Sequence, residues 1–130
     1  MLIDELKNIA RNNGIVGAGG AGFPAYAKMT EKADTVILNC VECEPLLKLH
    51  RQLLATHTEE IIQMLDEVRE SFGAKEAVIG IKSEYVTTIK AIEEVIGDFP
   101  NVRICALKAA YPMGDEVVLI YEATGRVIKP

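Results

Sequence analysis

Apolar residues recur at helical spacing at the start of the chain, where Ile3, Leu6, Ile9 and Ala10 fall on one face of residues 3–12 and Gly14 supplies a stop. Residues 35–39, TVILN, form a short β-branched apolar run that reads as a buried strand. A long helical pattern over residues 46–72 follows. It should break near Thr56, whose TxxE spacing to Glu59 offers a capping box, with Ile61, Ile62, Leu65 and Val68 as the apolar face beyond. A second buried strand is expected over 77–81, then a helix capped by Ser83 and running through Ile96, and a third strand over 102–107. The segment YPMGDEV comes next, with a last helix to Thr124 that stops at Gly125.

Strands alternating with helices predict an α/β fold: a three-layer α/β/α arrangement on a mostly parallel sheet, with right-handed crossovers. Ligands of such sheets sit beyond the carboxyl ends of the strands. At 130 residues the chain reads as a single domain, residues 1–130, without repeat, linker or low-complexity tract.

Composition narrows the function classes. Apolar residues make up 49% of the chain and charged residues 25%, as in folded soluble domains. No apolar run approaches membrane-spanning length, which argues against direct membrane insertion. The amphipathic N-terminus carries Asp4 and Glu5 and matches neither a signal nor a transit sequence, so a cytoplasmic address is expected. A net charge of −5 with singly scattered Lys and Arg speaks against nucleic acid as a partner. Three cysteines, Cys40, Cys43 and Cys105, cannot make a disulfide framework and fit a reducing compartment.

The candidate chemistry concentrates in GIVGAGGAGFPAYAK, residues 14–28, and NCVECEP, residues 39–45. Gly17, Gly19, Gly20 and Gly22 leave a stretch of backbone whose N–H groups can approach a phosphate, with Lys28 as the nearest cation. The alternative is a tight turn, although four glycines within residues 17–22 cost more entropy than a plain turn requires. Gly17, Gly19 and Gly22 match GxGxxG by letter, but a helix precedes them and Phe23-Pro24 follows, which is the wrong context for a true Rossmann fingerprint. The fold is therefore expected to be Rossmann-like without being a Rossmann fold.

Cys40 and Cys43 have CxxC spacing, yet Glu42 and Glu44 disfavour a thiolate there, and His50 and His57 lie in a helical pattern rather than in ligand spacing. A buried structural role fits Cys40 better, and no metal site is assigned. Glu42 and Glu44 are either solvated charges or acceptors for ribose hydroxyls, the nicotinamide amide or flavin N–H groups; Asp115 and Glu116 repeat the pattern after the third strand.

GIVGAGGAGFP with Lys28, NCVECEP with Arg51, and YPMGDEVVLIYEATGR together resemble the family of the NADH-binding flavoprotein subunit of respiratory complex I. The likeness is to the branch that holds the C subunit of Rnf electron-transport complexes and the cobalamin reductase of propanediol utilisation. The resemblance implies FMN and NAD(H) as cofactors, with Gly17, Gly19, Gly20, Gly22, Phe23 and Lys28 against the nucleotides. It further implies that Asn39 and Glu42 contact FMN, that Glu44 meets the nicotinamide half of NADH, and that Asp115 and Glu116 complete the acidic wall. Hydride transfer from NADH to flavin would be the activity, with no catalytic side chain of the protein's own.

Two positions depart from the complex I pattern: Val41 replaces an acid and Glu31 an aromatic residue. The family continues downstream into a further FMN segment, a ubiquitin-like domain and iron–sulfur cysteines. The chain is therefore expected to be the N-terminal part of a larger electron-transfer protein, with partner subunits that place it peripherally at a membrane and little or no turnover alone. Two further readings stand beside this one: a non-catalytic nucleotide-binding or subunit-interaction module, and a fragment of a flavin-dependent cobalamin reductase.

Overall fold

In the computed structural model, the described residues are 2–16, 24–29, 32–41, 49–107, 120, 124 and 125. Three strands, β1 (Thr35–Asn39), β2 (Glu76–Lys82) and β3 (Val102–Leu107), form a parallel sheet in the order β1-β2-β3. Four α-helices accompany them: α1 (Ile3–Asn12), α2 (Leu49–Thr56), α3 (Thr58–Ser71) and α4 (Val86–Ile96). A 3-10 turn occupies Ala25–Lys28.

The register sorts the sheet residues by face. Val36, Leu38, Ala77, Ile79, Ile81, Val102 and Ile104 point one way and pack with Leu54, Ile62, Leu65 and Ile92 from α2, α3 and α4. All three helices share this face because the strand order never reverses, so successive crossovers of one hand fall on the same side. The opposite face carries Ile37, Val78, Cys105 and Leu107. Val78 is fully buried there while Arg103 beside it is exposed, and among the described residues the helices packed on the sheet, α2, α3 and α4, lie on the first face.

β1 and β3 have the bounds their apolar runs predict, and β2 is longer by one residue at each end. The predicted caps are not used. Thr56 does not form a capping box with Glu59; its hydroxyl donates back to the Gln52 carbonyl at 2.8 Å. Thr58 likewise donates to Leu54 O at 2.6 Å, and this pair of back-bonds marks the break between α2 and α3 at His57. Ser83 does not cap α4. Its N–H donates to Leu107 O at 2.7 Å, it lies in a turn closed by the Tyr85 N–H on Lys82 O at 3.0 Å, and the helix starts at Val86 with Tyr85 as N-cap.

On α1, Leu6 and Ala10 are buried as expected, but Ile9 is 45% exposed, so the apolar face is narrower than its spacing suggests. The Glu5 carboxylate accepts the Leu2 N–H at 3.3 Å and supports the N-terminus of that helix. Gly14, after α1, and Gly125 both have positive φ, consistent with their reading as helix stops. Ile120 and Thr124 are helical, and the rest of that last predicted helix lies outside the described residues.

Candidate functional site

A parallel sheet sends the chain out of all its strands at one end. Here β1 and β3 release the two acidic segments there: residues 42–48 begin just past Val41, and residues 108–119 follow Leu107 directly. Asn39, Gly80 and Cys105 share one row across the sheet, which separates the two exits by two strand spacings, ~10 Å. Both exits are firmly tied. The Cys40 N–H donates to Gly80 O at 2.8 Å, and the Ser83 N–H to Leu107 O at 2.7 Å, so the ladder runs past the formal strand ends.

Asn39 closes β1 with an exposed side chain whose Oδ1 accepts the Val41 N–H at 3.0 Å. This Asx turn satisfies the N–H of the buried Val41 just past the strand end, and Cys40 between them is buried as well. Burial of Cys40 agrees with a structural role for that thiol. His50 is exposed on α2 and His57 is exposed at the helix break, the surface placement expected for both.

The glycine loop is closed at its base by an isolated antiparallel bridge, Val16 to Pro24, reinforced by the Ala25 N–H on Ile15 O at 3.0 Å. It springs from the end of α1 and returns into the 3-10 turn, so its context is helix-loop-turn rather than strand-loop-helix. That matches a Rossmann-like fold without a Rossmann fingerprint. Lys28 is the last residue of the turn, and its side chain lies outside the described residues. Gly17, Gly19, Gly20, Gly22, Phe23, Glu42, Glu44, Asp115 and Glu116 also lie outside them. Of the predicted site residues, the structure thus fixes the side chain of Asn39, the backbone of Lys28, and the points from which the other segments depart.

Two features escaped sequence reasoning. The Asx turn carried a usable signal, an Asn at a strand end before an apolar residue two positions on. The second is a stack of the Arg51 guanidinium on the Tyr85 ring, 4.3 Å from its centroid, joining α2 to the start of α4. No local pattern marks that contact.

The described frame is that of a parallel α/β domain in which the chain leaves β1 and β3 at the same edge of the sheet. Likeness to known proteins makes the class more particular. The family described as the Nuo51 FMN-binding domain matches residues 10–130, and the chain belongs to it. The cobalamin reductase PduS of Salmonella typhimurium is 38% identical over 127 residues, covering 98% of this chain and 28% of that protein. The C subunit of the Na(+)-translocating ferredoxin:NAD(+) oxidoreductase complex of Acetobacterium woodii is 34% identical over 129 residues, 96% of this chain and 29% of that one. Among solved structures, an NAD+-reducing [NiFe]-hydrogenase in the air-oxidized state superposes with a TM-score of 0.76 at 25% identity, over 98% of this chain and 25% of that chain. The chain therefore spans under three tenths of the length of these relatives.

Proposed function

We propose that this chain is the FMN- and NAD(H)-binding domain of an NADH-linked oxidoreductase subunit, one unit of a longer electron-transfer protein. The observation that carries the reading is the shared exit of two acidic segments at the carboxyl edge of the sheet, in a chain of the Nuo51 FMN-binding family. The donor set suits a phosphorylated flavin. Main-chain N–H groups of Gly17, Gly19, Gly20 and Gly22 with Lys28 hold phosphate, Phe23 stacks on a base, and Asn39 and Glu42 address the ring system. Glu44 accepts from the nicotinamide half of NADH, and Asp115 and Glu116 close the opposite wall.

When bound, FMN supplies the hydride-accepting chemistry at its N5 atom. The protein's own contribution is orientation: the strand ends from which the two acidic segments leave are tied to the sheet, and the acids orient polar edges rather than transfer protons. Other members of an electron-transfer complex are the natural partners, with the chain peripheral to a membrane through them. Among the described residues no helix is long and apolar enough to cross one.

The test is an FMN titration of the chain followed by flavin fluorescence, then NADH-dependent bleaching in the longer protein that contains it. Glu44→Gln should weaken NADH more than FMN; equal loss of both would remove the nicotinamide role. Failure of both the chain and the longer protein to bind FMN would overturn the reading. The 38% identity to a cobalamin reductase favours a second version, in which the same flavin passes electrons to a corrinoid.

A further inference from the structure

Tyr85 carries more chemistry than its packing uses. The residue is 7% exposed at the N-cap of α4, and its phenolic hydroxyl has no hydrogen-bond partner among the described residues. A hydroxyl at that depth is normally paired, so one that is not points to a group outside the protein. Two cations lie over the same ring, the Arg51 guanidinium 4.3 Å from its centroid and the Lys82 ammonium 5.8 Å from it. Among the described residues neither cation has a carboxylate partner. The ring offsets part of the repulsion between two like charges gathered on it, and an anion held by both would offset the rest.

These groups border a cleft of 370 Å³ between α2 and the start of α4, whose polar lining is Arg51, Gln52, Glu84, Tyr85, Thr87 and Thr88. That volume falls within the range of small-molecule sites, about 300–1,000 Å³. Its two walls are joined where the Thr88 hydroxyl donates to Arg51 O at 3.2 Å. On the α4 side the first turn has no acidic residue and no side-chain cap, and the N–H groups of Thr87 and Thr88 have no acceptor among the described residues. Glu84, the one acid of the lining, is exposed and pairs with neither cation. The cleft lies just past the carboxyl end of β2, the middle strand, where parallel sheets bind their ligands.

We propose that this cleft binds the phosphate group of a small molecule: Arg51 and Lys82 supply the charge, and the Tyr85 hydroxyl with the Thr87 and Thr88 N–H groups supplies directed hydrogen bonds. The phosphate belongs either to the nucleotides proposed above or to a separate phosphorylated molecule, and the chemistry of the cleft is the same for both.

Inorganic phosphate is the probe, titrated into the whole chain at constant ionic strength and followed by backbone amide NMR. The Thr87 and Thr88 amides should shift saturably. Arg51→Met and Lys82→Met should each weaken phosphate ~10-fold, and Tyr85→Phe, which keeps the ring and its packing, ~3-fold. Lys90→Met, at an exposed position of α4, should change nothing, and Glu84→Gln should tighten binding. Shifts at Thr87 and Thr88 that do not saturate, or that chloride reproduces, would overturn the site, and that result needs no variant to fold. Wild-type phosphate affinity in both Arg51→Met and Tyr85→Phe would overturn it as well. Titrations of FMN and NADH into the same variants assign the source. Affinities that fall together with that for phosphate put a nucleotide phosphate in the cleft, and unchanged affinities make it a site for a separate phosphorylated molecule. The phosphate titration contains no flavin, so its outcome is independent of the flavin reading.

Discussion

Asn39 has one observed role, in the Asx turn, and one proposed, in the flavin site, and two substitutions split them. Its Oδ1 accepts the N–H of Val41, a residue only 4% exposed, at 3.0 Å. Asn39→Ala leaves that buried donor without its acceptor, which costs about 1–2 kcal/mol. For a domain of this size that is a fall in Tm of roughly 4–8 °C. Asn39→Asp keeps an oxygen at the same place, so the turn survives and stability should stay within about 0.5 kcal/mol of wild type. The same change removes the amide donors and adds a negative charge to a segment that already carries Glu42 and Glu44 in sequence. FMN affinity should then fall by at least about 10-fold, or 1.4 kcal/mol. Thermal melts and flavin titrations of both variants test this together. The alanine variant should be impaired in both assays and the aspartate variant in binding alone. An aspartate variant that melts with the alanine variant would refute the Asx-turn account. One that binds FMN like wild type would remove Asn39 from the flavin site.

Three further expectations concern the frame. Leu54→Ala, at the one buried position of α2, should cost about 2–5 kcal/mol and lower the urea midpoint without changing the slope; a loss under about 1 kcal/mol would mean α2 is not packed as described. Gly73, past the end of α3, has φ +68° with nothing within 4 Å of an added Cβ, so Gly73→Ala should cost about 1 kcal/mol from backbone strain alone, and Gly73→Asn should recover part of it in thermal melts. Arg103 is bound by Glu76 at 3.0 and 3.2 Å, a hydrogen bond that raises the guanidinium above its usual pKa, yet the two side chains are 45% and 38% exposed. Glu76→Gln should therefore cost less than about 1 kcal/mol and nothing in high salt; a loss insensitive to salt would contradict the surface placement.

What could be read from the chain alone divides along a physical line. TVILN gives its strand bounds directly because a strand in a parallel sheet is a β-branched run cut off by polar residues, and every term of that signal is local. Helix starts are less local. Ser83 carries the right side chain for a cap, but its N–H bonds to Leu107 O of the neighbouring strand and a turn over Lys82–Tyr85 follows, so the helix opens only at Val86. Thr56 is diverted more simply, by a carbonyl of its own helix. The site follows the same division. The glycine loop and NCVECEP are local strings that suggest a nucleotide, and even the bridge from Val16 to Pro24 lies within the first of them, while the stack of Arg51 on Tyr85 joins residues that no short window contains. The proposed nucleotide contacts are thus legible in motifs, and tertiary pairing is not.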